Sequence, residues 1–429
     1  MEIRKYLNYF TSALLIYSIL MAAIGISLDT VNTLKYGAVD QRNRVVGTRL
    51  LLEEDDPYFF KWEQDTPEEL VDARDFYSNF PMSRLTVPPT ILLLHTPFAN
   101  ITYKTQRILW SIAQWLLLLL SIFLLSDTSD TKIKKKIIWI TGLLIIASSY
   151  FWRLHIDKGQ IYILFVFLIT LSFWTLKKKN NYILSGFILG LTASFRPPVI
   201  LMGIPFLIKR KWKFIISGIF GIVLSFIISL FIAPLTIWSS YFKSMEFHEK
   251  FHLLIIQPTF SFYNKYVVDG IKNAIFAANL PQEDSSIQDL IRFFFDIKIK
   301  AFALEILLII TILLLTAFLW KRIKNLQSNT SLFYIGVVYV IISSFFLPAA
   351  RLSYMNVYWL LPLSFIVIKA DDIKWVLKPE LTLLISGFIL NTIFNIFPKG
   401  IILSDYLIMI FTIISLFTMT NLKVDYEVH

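Results

Sequence analysis

The chain has 429 residues, of which 56% are hydrophobic and 17% charged, with a formal net charge of +11. A soluble chain carries about 25% charged residues, so an ordinary soluble enzyme is excluded. There is no cysteine, which excludes disulfide, thiolate-zinc and iron–sulfur chemistry as well as a cysteine nucleophile.

Apolar residues come in unbroken runs such as 116–125, 214–233 and 306–319. Runs approaching 20 residues match a hydrocarbon core about 30 Å thick. They are continuous rather than alternating with period two, which predicts helices and not a barrel. In chain order the expected spans are 6–28, 107–126, 137–152, 160–176, 182–195, 198–208, 214–236, 301–320, 332–347, 355–368, 380–397 and 401–420. The expectation is an all-α polytopic membrane protein of about twelve spans. The first run has no small-residue cleavage site, so it is expected to be a retained anchor.

Basic clusters lie between the runs: Arg4-Lys5, Lys132 with Lys134–Lys136, Lys177–Lys179, Lys209–Lys211 with Lys213, Lys321-Arg322 with Lys324, and Lys369 with Lys374 and Lys378. The positive-inside rule places them all in the cytoplasm, with both termini. Two long loops then face outward. Residues 29–86 carry 12 acidic against 7 basic residues, and residues 238–300 carry 7 of each. The positive charge therefore serves orientation, and no nucleic-acid partner is expected. The segment 87–97 opens with a Pro pair and is too short to span, so it reads as re-entrant or lying on the surface. Arg196-Pro197-Pro198 predicts a broken hairpin. The expected units are a transmembrane module over 1–237 with the catalytic first loop 29–86, a second loop over 238–300, and a C-terminal module over 301–429.

Several polar residues fall together on the outer side. Asp40 lies in the first loop. Arg153, His155, Asp157, Lys158 and Gln160 lie where the third span meets the fourth, Arg196 at the hairpin and Arg351 after Pro348. Ionisable groups at span ends usually face cavities and serve function. Cations at interface depth suit the phosphate of a lipid carrier, which arginine clamps bidentately. A nearby carboxylate accepts a proton from an attacking hydroxyl. Together these describe sugar transfer from a polyprenyl-phosphate donor, the cations stabilising charge on the departing phosphate. No cofactor and no metal is called for.

The stretch Val39–Leu51, beginning Val-Asp-Gln-Arg-Asn-Arg and followed by Asp56-Pro57-Tyr58, resembles the first-loop motif of glycosyltransferase family 87. The likeness continues through Pro88-Pro89 to Pro97, Gly159-Gln160, Gly186 and Gly190 leading to Arg196-Pro197, and the basic turn 209–213. It covers roughly residues 30–215, with weaker similarity near 348–356. The resemblance implies a GT-C fold and a polyprenyl-phosphate-mannose-dependent mannosyltransferase acting on a glycan or glycolipid in the bilayer. It makes Asp40 the general base; Arg153, His155, Lys158, Gln160, Arg196 and Arg351 are the expected substrate contacts. The family usually has Asn where this chain has Tyr162, and often Lys where it has Arg196.

Other readings compete. Asp40 could serve only as the partner of Arg44 one helical turn away, with Asp29 the reserve base. Arg153, His155 and Lys158 could be snorkelling interface residues. His95 reads as a hydrogen-bonded interface residue. His248-Glu249-Lys250-Phe251-His252 fits the H-E-x-x-H pattern of zinc proteases, although it lies in a polar loop with no third ligand downstream. A lipid or glycan transporter also suits twelve spans, but its polar residues would gather at the midplane rather than at one face.

Overall fold

The computed structural model describes residues 2–35, 37–63, 65–72, 81–252, 284–369, 380–392 and 400–420, and its named elements are all helical. Among the described residues, six helices are long and apolar enough to cross a membrane, or seven if one bent pair counts as a single span. They lie at 5–35, 103–127, 212–229, 301–325, 329–346 and 402–419.

The first helix, α1 (Glu2–Lys35), runs a turn or more past the expected span end. The first loop then forms α2 (Val39–Leu52), and the Pro pair starts the short α3 (Pro89–His95). Pro89 occupies the first helical position, where its missing N–H costs nothing. α4 (Tyr103–Asp127) is a long span. α5 (Lys132–Ile140) continues through a π-helical turn at Thr141–Ile146. The chain then bends by 67° into α6 (Tyr150–Lys158). The break has a local cause: Ser149 accepts a hydrogen bond from Trp152 N–H and caps a new helix. The expected third span is thus two segments, and the charged residues 153–158 ride on the second.

α7 (Tyr162–Lys179) and α8 (Tyr182–Phe195) are joined at Asn180-Asn181, whose second side chain caps α8 by accepting from Leu184 N–H. α8 stops at Arg196, held extended at φ −137°, ψ 91°, as the residue before a proline prefers. A 3₁₀ stretch (Pro197–Met202), α9 (Gly203–Ile208) and α10 (Trp212–Ser229) follow. α8 and α10 cross closely because Gly190 has no side chain; a Cβ there would sit 2.0 Å from the Gly218 carbonyl oxygen. That crossing fixes where Arg196 emerges.

α11 (Leu235–His252) runs unbroken across residue 237, where a loop was expected to begin. After it come α12 (Ile287–Phe295), α13 (Ala301–Asn325), α14 (Asn329–Phe346), the 3₁₀ turn Ser353–Trp359, α15 (Leu360–Lys369), α16 (Glu380–Thr392) and α17 (Gly400–Met419). α14 is the central helix, its apolar window 83% buried, whereas α1 and α13 bury only 22% and 17%. Apolar surface left open on α1 and α13, such as Phe10, Ile16, Leu313 and Leu314, is what a helix facing lipid presents.

Candidate active site

The first loop is a folded structure built around α2, whose arginines have separate jobs. Arg42 donates to the Val71 and Glu68 carbonyls at 2.8 and 3.0 Å, and its guanidinium lies 4.8 Å from the Tyr103 ring centre. Arg49 donates to the Ala99, Ile101 and Glu69 carbonyls at 2.8–2.9 Å. These two hold the loop around the helix. Arg44, two residues from Arg42 and therefore on another face, turns inward and donates to the Gly159 carbonyl.

The start of α2 is bolted to the end of α6. Ala38 N–H donates to the Asp157 carbonyl at 2.6 Å, and Tyr103 Oη donates to the Ala38 carbonyl at 2.6 Å. Gly159 caps α6 at φ 65°, and a Cβ there would lie 2.9 Å from atoms of Ala38 and Gln41. Only glycine permits both the left-handed backbone and the contact. Asp40 thereby sits in the first turn of α2, where the positive helix end favours an anion. Its Oδ2 accepts from Gln160 Nε2.

A cavity of about 630 Å³ opens beside this junction. Asp40, Asn43 and Arg44 line it from α2, Arg84 and Val87 from the approach to α3, Gln160 and Tyr162 from the α6–α7 junction, and Arg196 from the end of α8. The far wall carries Tyr241, Glu246, His248 and Glu249 of α11, Glu305 of α13, and Leu347–Ala350 with Tyr354. Arg196 lies over the Tyr162 ring at 5.3 Å, and Tyr162 packs on Tyr354 at 5.6 Å and Tyr358 at 6.0 Å. Neither Arg44 nor Arg196 forms an ion pair among the described residues. The buried Nε of Arg44 has no hydrogen-bond partner among them. Burial pulls the Arg44 guanidinium down to about 10, which still leaves it charged at neutral pH. Burial, then the charge of Arg44, pushes His95 down to about 3, so it stays neutral. Across the cavity, burial followed by the carboxylates of Glu305 and Glu246 raises Glu249 above the usual range.

Three of the expected site residues, Asp40, Gln160 and Arg196, meet in this cavity. Arg153 instead pairs with Asp29 at 2.5 Å, and Trp115 Nε1 donates to the same carboxylate at 2.9 Å. His155 is fully buried, stacks on Trp152 at 5.5 Å and accepts from Ile163 N–H at 3.2 Å. Lys158 is buried at the end of α6. Arg351 pairs with Asp405 and donates to Ser285 Oγ at 2.7 Å, Asn356 Oδ1 at 2.9 Å and Ser344 Oγ at 3.1 Å. None of these four lines the cavity. His248 and Glu249 of the H-E-x-x-H stretch do, while the side chain of His252 lies outside those described. Among the described residues no three His, Asp or Glu side chains stand close enough to hold a metal ion.

Arg44 and Arg84 are cavity residues that the sequence reading did not single out as substrate contacts. Arg44 carried a usable signal: it follows Asp40 by four residues on one helix, so the two share a face. Arg84 lies in irregular chain and had none.

Compared with known protein families, residues 86–348, well over half of the chain, match the description "Glycosyltransferase family 87". The chain belongs to glycosyltransferase family 87. It is therefore a membrane glycosyltransferase. The matched stretch contains Gln160, Arg196 and the α11 wall, and it begins after Asp40. A comparison with curated proteins returns no match.

Proposed function

We propose that this family 87 enzyme transfers a sugar, mannose as first choice, from a polyprenyl-phosphate donor to a hydroxyl of a glycan or glycolipid. The observation that carries the reading is the meeting of the Asp40 carboxylate with the guanidiniums of Arg44, Arg84 and Arg196 on one side of a single cavity, whose far wall carries Glu246, Glu249 and Glu305. Arg44 and Arg196 have no carboxylate paired with them among the described residues; such a cation, when buried, is costly unless an anion comes to it, and the donor phosphate is such an anion. Asp40 takes the proton of the acceptor hydroxyl as its oxygen attacks the anomeric carbon. The bond from that carbon to the phosphate oxygen breaks from the opposite face, so the product is inverted. The phosphodiester leaves as a monoester with one more negative charge, and Arg196 and Arg44 stabilise that growth. A lipid phosphate leaves readily, so the scheme requires no metal. Arg84 contributes a third donor; Arg153, His155, Lys158 and Arg351 act behind the cavity walls.

The wider reading is a GT-C architecture of about twelve crossings in the cell membrane. Both termini are cytoplasmic; the loop 29–86 within the module 1–237, and the loop 238–300 between that module and the module 301–429, are extracytoplasmic. Single cysteines replacing Glu63 and Asp296 should react with an impermeant reagent added outside intact cells. Labelling only after permeabilisation would put the cavity on the wrong face. The direct test of function supplies purified protein with radiolabelled polyprenyl-phosphate mannose and membrane lipid extract. Labelled lipid or glycan product is expected. Transfer from a nucleotide sugar with none from any polyprenyl-phosphate sugar would overturn the donor assignment.

A further inference from the structure

Two consecutive residues at the α6–α7 junction reach the two sides of the proposed reaction. Gln160 Nε2 donates to Asp40 Oδ2. One position earlier, the Gly159 carbonyl accepts from Arg44 Nη2 and also from Trp110 Nε1, the latter at 3.1 Å. The junction is held close to α2: the space where a Cβ of Gly159 would sit is filled by Ala38 and Gln41, and the Ala38 N–H is tied to the Asp157 carbonyl.

We propose that Gln160 is the positioning residue of the base: its amide holds one oxygen of Asp40 and favours the ionised carboxylate, while the neighbouring Gly159 carbonyl aims Arg44 at the donor phosphate. The inference rests on Asp40 being the base. A glutamine suits the task because its amide donates without titrating, so it cannot compete for the acceptor's proton. Donation to the charged form stabilises that form. A third group that orients the base is the recurring arrangement around activated nucleophiles. Gln160 thus acts through Asp40, in contrast to the substrate contact expected from sequence.

The charged and titratable groups that line the cavity on the side of that carboxylate are Arg44 on its own helix, Arg84 before α3, and Tyr162 and Arg196 from α7 and the end of α8. Glu246, His248, Glu249 and Glu305 face it across the cavity, with Tyr241 and Tyr354. Replacing Gln160 changes none of their charges, so a shifted pH profile reports on the amide.

The experiment follows kcat/KM of the full chain against pH, with polyprenyl-phosphate mannose as donor and membrane lipid extract as acceptor source. The acid limb reports protonation of the free enzyme's base. Losing a hydrogen bond to the ionised form raises that pKa, so Gln160→Leu should move the limb to higher pH by about one to two units. The rate should recover toward wild type on the alkaline side, where Asp40 is ionised in both proteins. Gln160→Glu, nearly isosteric, should move the limb further the same way, because two carboxylates then share the site; it carries the test if the leucine variant does not fold. A rate lowered equally at every pH, with the limb in place and Asp40→Asn inactive, would overturn the positioning role alone. Normal turnover by Asp40→Asn would overturn the base assignment and the inference with it.

Discussion

Arg351 and Arg196 both stand at the ends of apolar helices, and the sequence singles out both, yet the fold treats them oppositely. Arg351 is 2% exposed, and every nitrogen of its guanidinium is engaged by Asp405, Ser285, Asn356 or Ser344. Asn356 closes the ring by donating to the other oxygen of Asp405 at 2.6 Å. This network ties the turn after α14 to α17 and, through Arg351 N–H on Asp284 at 2.9 Å, to the chain entering α12. Arg196 is half-buried against tyrosine rings, faces a cavity and has no carboxylate paired with it among the described residues. A buried charge saturated by protein serves the fold, whereas one that faces a cavity without a carboxylate can meet a ligand of opposite sign. Asp29 with Arg153 repeats the first pattern behind α2.

The comparison can be broken at several points. The largest expected effect is at Asp40. Asp40→Asn should lower turnover by about 10²–10⁴-fold while donor KM and thermal unfolding in detergent stay near wild type. A normal rate would return Asp40 to an ion-pairing role.

Next comes Arg351. Arg351→Ala leaves Asp405 buried and uncompensated, so it should cost about 3–5 kcal/mol of stability, read as an earlier unfolding midpoint. Arg351→Met combined with Asp405→Leu should regain most of that loss, because no charge is then stranded. If the single variant unfolded like wild type but lost donor affinity, Arg351 would move to the ligand-binding side of the comparison.

Arg196→Ala should do the reverse. Charge-assisted hydrogen bonds are worth about 1.5–3 kcal/mol, so donor affinity should weaken by about 10- to 150-fold, with a further loss in turnover as phosphate charge grows. The unfolding midpoint should hold or rise, since an unpaired cation has been removed. Arg196→Lys should recover only part, because a point charge replaces a two-pronged donor. A destabilised Arg196→Ala with unchanged kinetics would erase the contrast with Arg351.

The smallest effect marks the baseline. Asp130 is 68% exposed and pairs with Lys134 at 3.0 Å, four residues on. Asp130→Asn should change stability by no more than about 0.5 kcal/mol, measured by the same unfolding assay. A large shift there would mean that exposure is a poor guide to the worth of an ion pair in this protein.

What the sequence determined by itself was whatever depends on local composition and spacing. Twenty-residue apolar runs specify membrane helices, since lipid offers the backbone no hydrogen-bond partner. Arg196-Pro197-Pro198 specifies a helix stop, since proline clashes with a helical predecessor, and α8 ends there. The carboxylate and the arginines were legible as a chemical set, and the ordered motifs pointed to family 87. Tertiary structure alone decided which cations are paired with a carboxylate. Arg153 and Arg351 look like Arg196 in sequence, but their partners Asp29 and Asp405 lie 124 and 54 residues away, and no local pattern announces them. The 67° bend before α6 came from a capping serine inside an apolar stretch that reads as one continuous span. That bend carries Gly159 and Gln160 to the start of α2, and only there do the amide meet Asp40 and the carbonyl meet Arg44. Pairing across such sequence distances is set by how helices pack, because a charge is satisfied by whatever the fold brings within reach of it.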